Sequence, residues 1–331
     1  MTQLFHGGDL SIARKEFGNP VDGWIDLSTG INPWPWPCSS QTLDSLQRLP
    51  DQRALAQLRA VAAKTYGLQG GESVVLAPGS QSLIQWLPHL KKSIRVLALT
   101  PSYDEHAHSW SFAGHQVSAV ENLPKACEAD VVIVSNPNNP DGRLFSKSSI
   151  SLLAANLAKK SGFLIVDEAF ADLSNQASSA DQVDKGIIAL RSFGKFYGLP
   201  GLRLGFALTN PKTAMALAKM LGPWPISSLA VEIGMEALLD VEWQYQTRKR
   251  LSWARRRLEG ILGNNGCKII GGTDLFLLVE GDAQALYTFL GRAGIYVRIF
   301  SQKNNWLRFG LPGSEVHWLR LEGEMERWRK R

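Results

Sequence analysis

Short apolar runs alternate along the first two thirds of the chain with longer segments in which apolar residues recur every three or four positions. The runs, rich in Val, Ile and Leu, predict buried strands at 94–99, 131–134, 163–166, 187–190 and 204–208. The helical spacing predicts helices at 55–66, 81–90 and 150–160. Such alternation is typical of parallel βαβ units, so we expect a large three-layer αβα domain in the centre of the chain.

The pattern changes after the Pro-Trp-Pro break at 223–225. A long helical pattern over 226–262 precedes further short segments at 268–279, 283–292, 296–300 and 306–309. This mixture predicts a smaller α+β domain. The expected division is 1–37, an N-terminal segment that joins the small domain; 38–222, the large domain; and 223–331, a linking helix with the C-terminal small domain.

Length and composition are those of a globular protein. The 331 residues are 44% hydrophobic and 20% charged, enough to bury one large and one small core. No segment reaches the roughly 18 consecutive apolar residues of a membrane span, and residues 1–18 lack the apolar stretch of a signal peptide. We expect a cytoplasmic protein with no membrane partner. Cys38, Cys127 and Cys267 are too few and too widely spaced to predict a disulfide framework or a metal site.

The net charge of +6 does not by itself choose a partner. Much of the excess lies in two helical segments, 248–257 and 327–331, where a solvated helix face is the ordinary interpretation. No helix-turn-helix, zinc-finger or aromatic RNA-binding signature accompanies it, so we expect no nucleic-acid partner. Attraction of a small phosphorylated substrate is the remaining alternative.

The residues with the most informative chemistry follow the predicted strands. Asn139, Asp167 and Lys195 each lie just past the carboxyl end of a strand, at intervals of 167 − 139 = 28 and 195 − 167 = 28 residues. Ligands of open α/β sheets bind at that edge, so we expect the three side chains to share one pocket. A lysine there can form a Schiff base with an aldehyde cofactor, and a carboxylate can keep a pyridine nitrogen protonated. The set indicates pyridoxal 5′-phosphate.

A phosphorylated cofactor also needs anion-binding groups and an aromatic face for its ring. Tyr103 offers the aromatic face. The candidate phosphate ligands are Gly79, Ser80 and Gln81 at a helix start, with Ser192 and Arg203. Each residue alone has an ordinary interpretation, as a turn, a helix cap, a core aromatic or a surface lysine. Their order and spacing along the chain favour a binding site.

Four motifs make the chain resemble a known family over nearly its whole length. They are His-Gly-Gly-Asp at 6–9, Asp-Leu-Ser-Thr-Gly-Ile-Asn-Pro at 26–33, Asn-Pro-Asn-Asn-Pro-Asp-Gly at 136–142 and Asp-Glu-Ala-Phe at 167–170. In combination they resemble the fold type I pyridoxal-phosphate enzymes of the class I and II aminotransferase group. Within it the chain looks like the threonine-phosphate decarboxylases, with histidinol-phosphate aminotransferases next by pattern.

The resemblance implies a role for each motif residue. Lys195 would hold the cofactor covalently, Asp167 would contact the pyridine nitrogen, and Tyr103 would stack on the ring. Asn139 would contact the ring oxygen O3′ and the substrate. The implied phosphate ligands are the backbone amides of Ser80 and Gln81 with Ser192 and Arg203. The implied substrate ligands are Arg308 for the carboxylate, Arg298 as a second anion ligand, and His6 and Asn32 at the substrate phosphate. His106 is either a residue behind Asp167 or a helix-surface histidine.

Two positions depart from the family pattern. Phe170 stands where many relatives have a tyrosine, which removes a phenolic hydrogen bond to O3′. Leu49, in Arg-Leu-Pro, stands where relatives often place a tyrosine that reaches the cofactor of a partner subunit. The resemblance still implies a homodimer.

The implied activity is decarboxylation of L-threonine O-3-phosphate to (R)-1-amino-2-propanol O-phosphate and carbon dioxide, in cobalamin biosynthesis. Two alternatives remain open at this stage. One is an aminotransferase of the histidinol-phosphate type, and the other is a non-catalytic sensor domain that binds the same cofactor.

Overall fold

The computed structural model describes residues 7–38, 45–124, 129–174, 178–300 and 302–331. The chain forms two compact units. The smaller comprises Met1–Trp34, Pro140–Gly142 and Tyr245–Arg331, and the larger comprises Pro35–Asn139 and Arg143–Gln244. The three-part domain division stays a prediction. These units differ from it in grouping 35–37 and 223–244 with the larger unit and 140–142 with the smaller unit.

The described residues form helices and strands throughout both units. The helices are α1 Leu10–Phe17, α2 Gln52–Thr65, α3 Ser80–Trp86, α4 Glu105–Phe112, α5 Lys147–Ala158, α6 Pro211–Leu221, α7 Ser228–Leu239, α8 Val241–Asn264, α9 Ala283–Arg292 and α10 Glu315–Arg329. The strands are β1 Ile25–Asp26, β2 Val74–Ala77, β3 Arg95–Leu99, β4 Gln116–Val120, β5 Val131–Ser135, β6 Phe163–Asp167, β7 Ile187–Ser192, β8 Gly205–Leu208, β9 Lys268–Thr273, β10 Phe276–Glu280, β11 Ile295–Tyr296, β12 Arg298–Ile299 and β13 Trp306–Gly310.

The larger unit is built on a seven-stranded sheet with the order β2-β8-β7-β6-β5-β3-β4. Strands β3 to β7 are parallel to one another, as the alternating pattern predicts. The expectation that 204–208 is a further parallel strand is wrong, because β8 runs antiparallel to both β7 and β2. The connection over 193–204 contains a 3₁₀ turn at Pro200–Leu202 and no helix, so it returns the chain as a hairpin does rather than crossing over the sheet.

Both faces of most of this sheet are buried, although the edge strand β4 is largely exposed. Every residue of β2, β5 and β8 is buried, the pattern of strands covered by helices on two sides. One core combines alternate residues of these strands with apolar residues of α3, α4 and α6, including Leu83, Trp110 and Leu217. The three-layer αβα architecture is thereby confirmed.

The long helical pattern at 226–262 is two helices rather than one. α7 ends at Leu239 and α8 begins at Val241, with Asp240 between them. The Asp240 carboxylate accepts a hydrogen bond of 3.0 Å from the backbone N–H of Trp243. A carboxylate in that position satisfies an N–H that the start of a helix leaves unpaired, so Asp240 starts a new helix where the spacing alone suggests continuity.

The smaller unit contains a four-stranded antiparallel sheet of order β12-β13-β10-β9 and a parallel pair, β1 with β11. The expected segment at 268–279 is a hairpin of β9 and β10. Within the ranges that the structure describes, no helix is long and apolar enough to cross a membrane.

Candidate functional site

Asp167 ends β6, with strands β5 and β7 on either side. Its carboxylate is buried and makes two polar contacts. Oδ1 accepts a hydrogen bond of 3.0 Å from the backbone N–H of Ala169, and Oδ2 lies 2.8 Å from His106 Nε2. His106 lies on α4 and is itself buried, so the helix-surface alternative is wrong. Its Nδ1 has no hydrogen-bond partner within the described residues. Together, the contacts with Ala169 and His106 hold the Asp167 carboxylate in one orientation.

Tyr103 precedes α4 and lies against the same histidine. The two rings meet edge to face, with centroids 6.1 Å apart. The Tyr103 hydroxyl donates to Gln81 Oε1 at 3.1 Å, and Gln81 Nε2 donates to Glu105 at 3.0 Å. Through this chain of contacts the start of α3 and the start of α4 orient one aromatic ring near Asp167.

The start of α3 has the geometry of an anion site. Gly79, with a φ of +80°, precedes the helix, and a carbon added to it would lie 2.7 Å from Arg203 Nη2. Gly205 lies against the backbone N–H of Ser80, where a side chain would collide, and pairs across the sheet with Ser192. The residues expected to hold a phosphate therefore converge on a helix N-terminus, where unpaired N–H groups and the helix dipole favour an anion.

Arg203 adopts an unusual backbone conformation. Its φ of 53° is in the left-handed region, which a residue with a side chain adopts at a cost of about 1–3 kcal/mol. Its Nη1 donates to the carbonyl of Pro200 at 3.2 Å. In this conformation the Arg203 guanidinium lies beside Gly79. The strained backbone therefore occurs at the residue whose side chain lies next to the expected anion site.

Lys195 lies in the turn that follows β7. Its Nζ is 5.7 Å from the centre of the Phe170 ring, and Phe170 is three residues past Asp167. The turn is supported by stacked aromatic rings. Phe193 and Tyr197 stack 4.1 Å apart, and Tyr197 stacks on Trp243 at 5.8 Å. The rings on either side of Lys195 in sequence are thus packed into the core, which limits the positions that the lysine can adopt.

Asn139 closes the loop that follows β5. The residues before it are fixed by side-chain hydrogen bonds: Asn138 donates to the carbonyl of Pro101 at 2.9 Å, and the amide of Asn136 is bonded on both sides to the backbone of Phe145. The backbone N–H of Asn136 donates to the carbonyl of Asp167 at 2.8 Å. The loop is therefore held at the edge of the sheet where β6 ends.

A buried ionic cluster, which the sequence analysis does not identify, lies next to these residues. Arg191 on β7 contacts Glu168 at 3.0 Å and Asp172 at 2.9 Å, and its guanidinium is 4.6 Å from the centre of the Tyr66 ring. Burial raises the pKa of Glu168, against the opposing effect of Arg191. Burial lowers the pKa of Arg191, but the two carboxylates more than reverse this. The signal in the sequence is an arginine directly after the apolar run at 187–190.

In the smaller unit two expected substrate ligands face each other. Arg298 on β12 and Arg308 on β13 are directly opposite in the antiparallel ladder. Arg308 is buried, donates to the carbonyl of Ser28 at 3.0 Å, and lies 4.9 Å from the centre of the Phe276 ring. Burial and, to a smaller extent, the neighbouring charge of Arg298 lower its pKa to about 9, although Asp26 acts in the opposite direction. An anion bound to both arginines would offset their mutual repulsion.

The structure says less about the other two expected substrate ligands, Asn32 and His6. Asn32 is buried, and its side-chain oxygen accepts a hydrogen bond of 2.9 Å from the backbone N–H of Trp34. His6 lies outside the described residues. Their roles at the substrate phosphate stay predictions.

The larger unit has the groups that pyridoxal phosphate requires. Asp167 is a buried carboxylate held in one orientation, Lys195 follows the neighbouring strand, and Tyr103 supplies an aromatic face. Gly79 lets the Arg203 guanidinium lie close to the start of α3, where Gly205 packs against the backbone N–H of Ser80. Aldehyde, pyridine nitrogen, ring and phosphate therefore each have a matching group.

Comparison with known proteins agrees with this chemistry. The family model described as aminotransferase class I and II matches residues 36–317. A threonine-phosphate decarboxylase from Pseudomonas aeruginosa is 42% identical over 97% of both chains. Another from Sinorhizobium sp is 38% identical over 93% of both chains. The crystal structure of histidinol-phosphate aminotransferase from Sinorhizobium meliloti in complex with pyridoxal-5′-phosphate has a TM-score of 0.86 at 20% identity, covering 99% of this chain and 96% of that one.

The family model spans most of the chain, and two relatives exceed 30% identity over nearly its full length. Both findings confirm the resemblance that the motifs indicate. The chain belongs to the class I and II aminotransferase family, and its cofactor is pyridoxal 5′-phosphate.

Proposed function

We propose that this enzyme is a lyase that decarboxylates L-threonine O-3-phosphate to (R)-1-amino-2-propanol O-phosphate and carbon dioxide. The observation that carries the proposal is the full-length similarity to two threonine-phosphate decarboxylases. The product is an amino-alcohol phosphate of the kind used in cobalamin biosynthesis, which we propose as the pathway. We also expect a homodimer, a prediction that light scattering of the purified protein checks.

The larger unit supplies the groups proposed to act on the cofactor. When bound, pyridoxal phosphate accepts the electron pair of a bond broken at the substrate Cα. Asp167 would hold a proton on the pyridine nitrogen of the bound cofactor, and the His106 contact would keep the carboxylate in one orientation. Lys195 would hold the cofactor covalently and, as a free amine, would supply the proton that replaces the lost carboxylate at Cα.

The phosphate of the cofactor is assigned to the start of α3. The backbone N–H groups of Ser80 and Gln81 point out of the helix N-terminus, and Arg203 lies beside Gly79. Ser192, opposite Gly205, adds a hydroxyl. A guanidinium and backbone amides together favour a dianion over a neutral group.

The bound cofactor would serve either reaction. The choice would depend on whether the protein holds the substrate carboxylate or the Cα hydrogen in the position from which it is lost. Positioning is the contribution of the protein. Arg308 and Arg298 are proposed to hold the substrate anions, because two opposed arginines provide guanidinium groups for both a carboxylate and a phosphate.

The test is to measure carbon dioxide released from carboxyl-labelled L-threonine O-3-phosphate by the cofactor-loaded protein. Serine phosphate and free threonine are the comparison substrates. We expect release from threonine phosphate at a rate well above both. The structural likeness to a histidinol-phosphate aminotransferase makes transamination the second candidate. Transfer of the amino group of histidinol phosphate to a 2-oxo acid, without release of carbon dioxide, would overturn the proposal.

Phe170 provides a prediction about the cofactor environment. A Phe170→Tyr variant adds a hydroxyl to a ring 5.7 Å from Lys195 Nζ. If that hydroxyl donates to O3′, it favours the anionic form of the ring oxygen, and the pH midpoint of the cofactor absorbance change should fall by roughly one unit. Absorbance titration of the loaded variant checks this. A Phe112→Tyr variant, at an exposed position on α4, is the control and should leave the midpoint unchanged.

A further inference from the structure

The chain passes from one compact unit to the other at Asn139. Asn139 is the last residue of its stretch in the larger unit, and Pro140–Gly142 belongs to the smaller unit. There the carbonyl of Asp141 accepts a hydrogen bond of 3.0 Å from the backbone N–H of Gly272, on β9. The residue proposed to contact O3′ is thus one peptide bond away from a segment fixed to a different sheet.

The contact between this segment and β9 depends on glycine at three positions. A side chain on Gly142 would collide with the carbonyl of Gly272, and a side chain on Gly271 would collide with the carbonyl of Asp141. Gly142 has a φ of +71° and Gly272 a φ of +148°, values that residues with side chains rarely adopt. Backbone therefore meets backbone directly, a close approach that only glycine permits.

β9 has a β-bulge at this point. Gly271 pairs with Leu278 on β10, but the next pair is Ile269 with Val279, so Ile270 is an extra residue in the ladder. A bulge of this kind bends a strand and redirects its backbone groups. The bulge immediately precedes the two glycines that meet the segment. The pairing of β9 with β10 is therefore irregular next to the place where β9 contacts Asp141 and Gly142.

The connection from this contact to Asn139 is short and stiff. Proline fixes its own φ near −65°, and it restricts the residue before it, here Asn139, to extended conformations. A displacement of Gly142 has few rotatable bonds in which to be absorbed before it reaches the Asn139 side chain. The short chain therefore links the position of Asn139 to the contact that Gly142 makes with Gly271 and Gly272.

We propose that the contact of Gly142 with Gly271 and Gly272 positions Asn139, through the chain that joins them, for its contact with the cofactor ring, and thereby influences the ionisation of O3′. This proposal rests on the proposed function, in which Asn139 contacts O3′. Gly142 is a positioning residue and touches neither cofactor nor substrate. The alternative is a purely structural role, in which the glycines only permit close packing of the smaller unit.

A Gly142→Ala variant loaded with pyridoxal phosphate distinguishes the two roles. We expect the pH midpoint of its cofactor absorbance to rise by up to roughly one unit, in the same direction as in Asn139→Ala, because a donor to the anionic ring oxygen is displaced. Gly266→Ala is the matched control. Gly266 has a φ of +81° and no atom within 4 Å of an added carbon, so it carries the backbone strain without the collision.

The double variant Asn139→Ala with Gly142→Ala tests whether the two residues act together. If Gly142 acts through Asn139, the double variant should titrate like Asn139→Ala alone. A Gly142→Ala protein that titrates like wild type and Gly266→Ala, with only a lower Tm, would overturn the proposal. Should Gly142→Ala fail to fold, Pro140→Ala loosens the same connection without a collision and should shift the midpoint in the same direction by a smaller amount.

The experiment separates failure of this inference from failure of the proposed function. If wild-type protein shows no absorbance band of lysine-bound cofactor, the proposed function fails. If the band is present and Asn139→Ala shifts its midpoint but Gly142→Ala does not, only the inference fails.

Discussion

Replacing Lys195 with alanine is expected to lower kcat for carbon dioxide release by at least about 10⁴-fold, the upper end of what a single proton-transferring group contributes. The reason is that the same amine is proposed both to attach the cofactor and to return a proton to Cα. Single-turnover measurement of labelled carbon dioxide checks the rate. The loaded variant should also lose the absorbance band of lysine-bound cofactor.

The control for Lys195→Ala is Lys147→Ala, which removes a partly exposed lysine paired with Asp181 at 3.3 Å. It should keep wild-type turnover. Borohydride reduction of the wild-type protein should add the mass of one cofactor to the peptide that contains Lys195, and reduction of the variant should add none. Near-normal turnover in Lys195→Ala would exclude the assigned role.

Replacing Arg191 with methionine is expected to lower the free energy of unfolding by about 3–5 kcal/mol, because the carboxylates of Glu168 and Asp172 would remain buried without their cation. Denaturant unfolding of the cofactor-free protein measures this. Lys147→Met is the matched control, because its ion pair with Asp181 is on the surface and should contribute less than about 1 kcal/mol. If Arg191→Met and Lys147→Met lowered the free energy of unfolding equally, burial would not be the cause of the larger expected loss.

The same variant should have a distinctive pH dependence. Burial raises the pKa of Glu168, and in Arg191→Met the opposing guanidinium is absent, so the pKa should rise further. A carboxyl group whose pKa is higher in the folded than in the unfolded chain binds more protons when folded, so stability falls as pH rises through the folded pKa. The deficit relative to wild type should therefore shrink as the pH is lowered from neutrality. A deficit that does not change with pH would argue against a buried charge.

The positions of Asp167 and Lys195 follow closely from the sequence. Apolar runs identify β6 and β7, and the even spacing predicts that each side chain follows a strand at the same edge. Spacing alone does not make two strands neighbours, since that depends on how the helices pack. The observed order, with β7 next to β6 and β6 next to β5, supplies the missing part.

Three features could not be read from local patterns. The direction of β8 is set by the connection before it, and an apolar run has the same appearance in either direction. The break at Asp240 is hidden because a polar residue fits the outer face of a helix as well as its start. The facing of Arg298 and Arg308 depends on the register between β12 and β13, and the sequence of the six residues at 300–305 does not specify that register.

The turn between β7 and β8 carries Lys195 near its start and Arg203 near its end, in a connection that contains only a 3₁₀ turn. A cofactor bound to both residues, as proposed, would hold the two ends of this connection together. Cofactor loading should therefore slow amide hydrogen exchange and protease cleavage within 193–204 more than elsewhere, since opening this loop would require release from both attachments. In that case release of the cofactor and local unfolding of this connection would be thermodynamically linked.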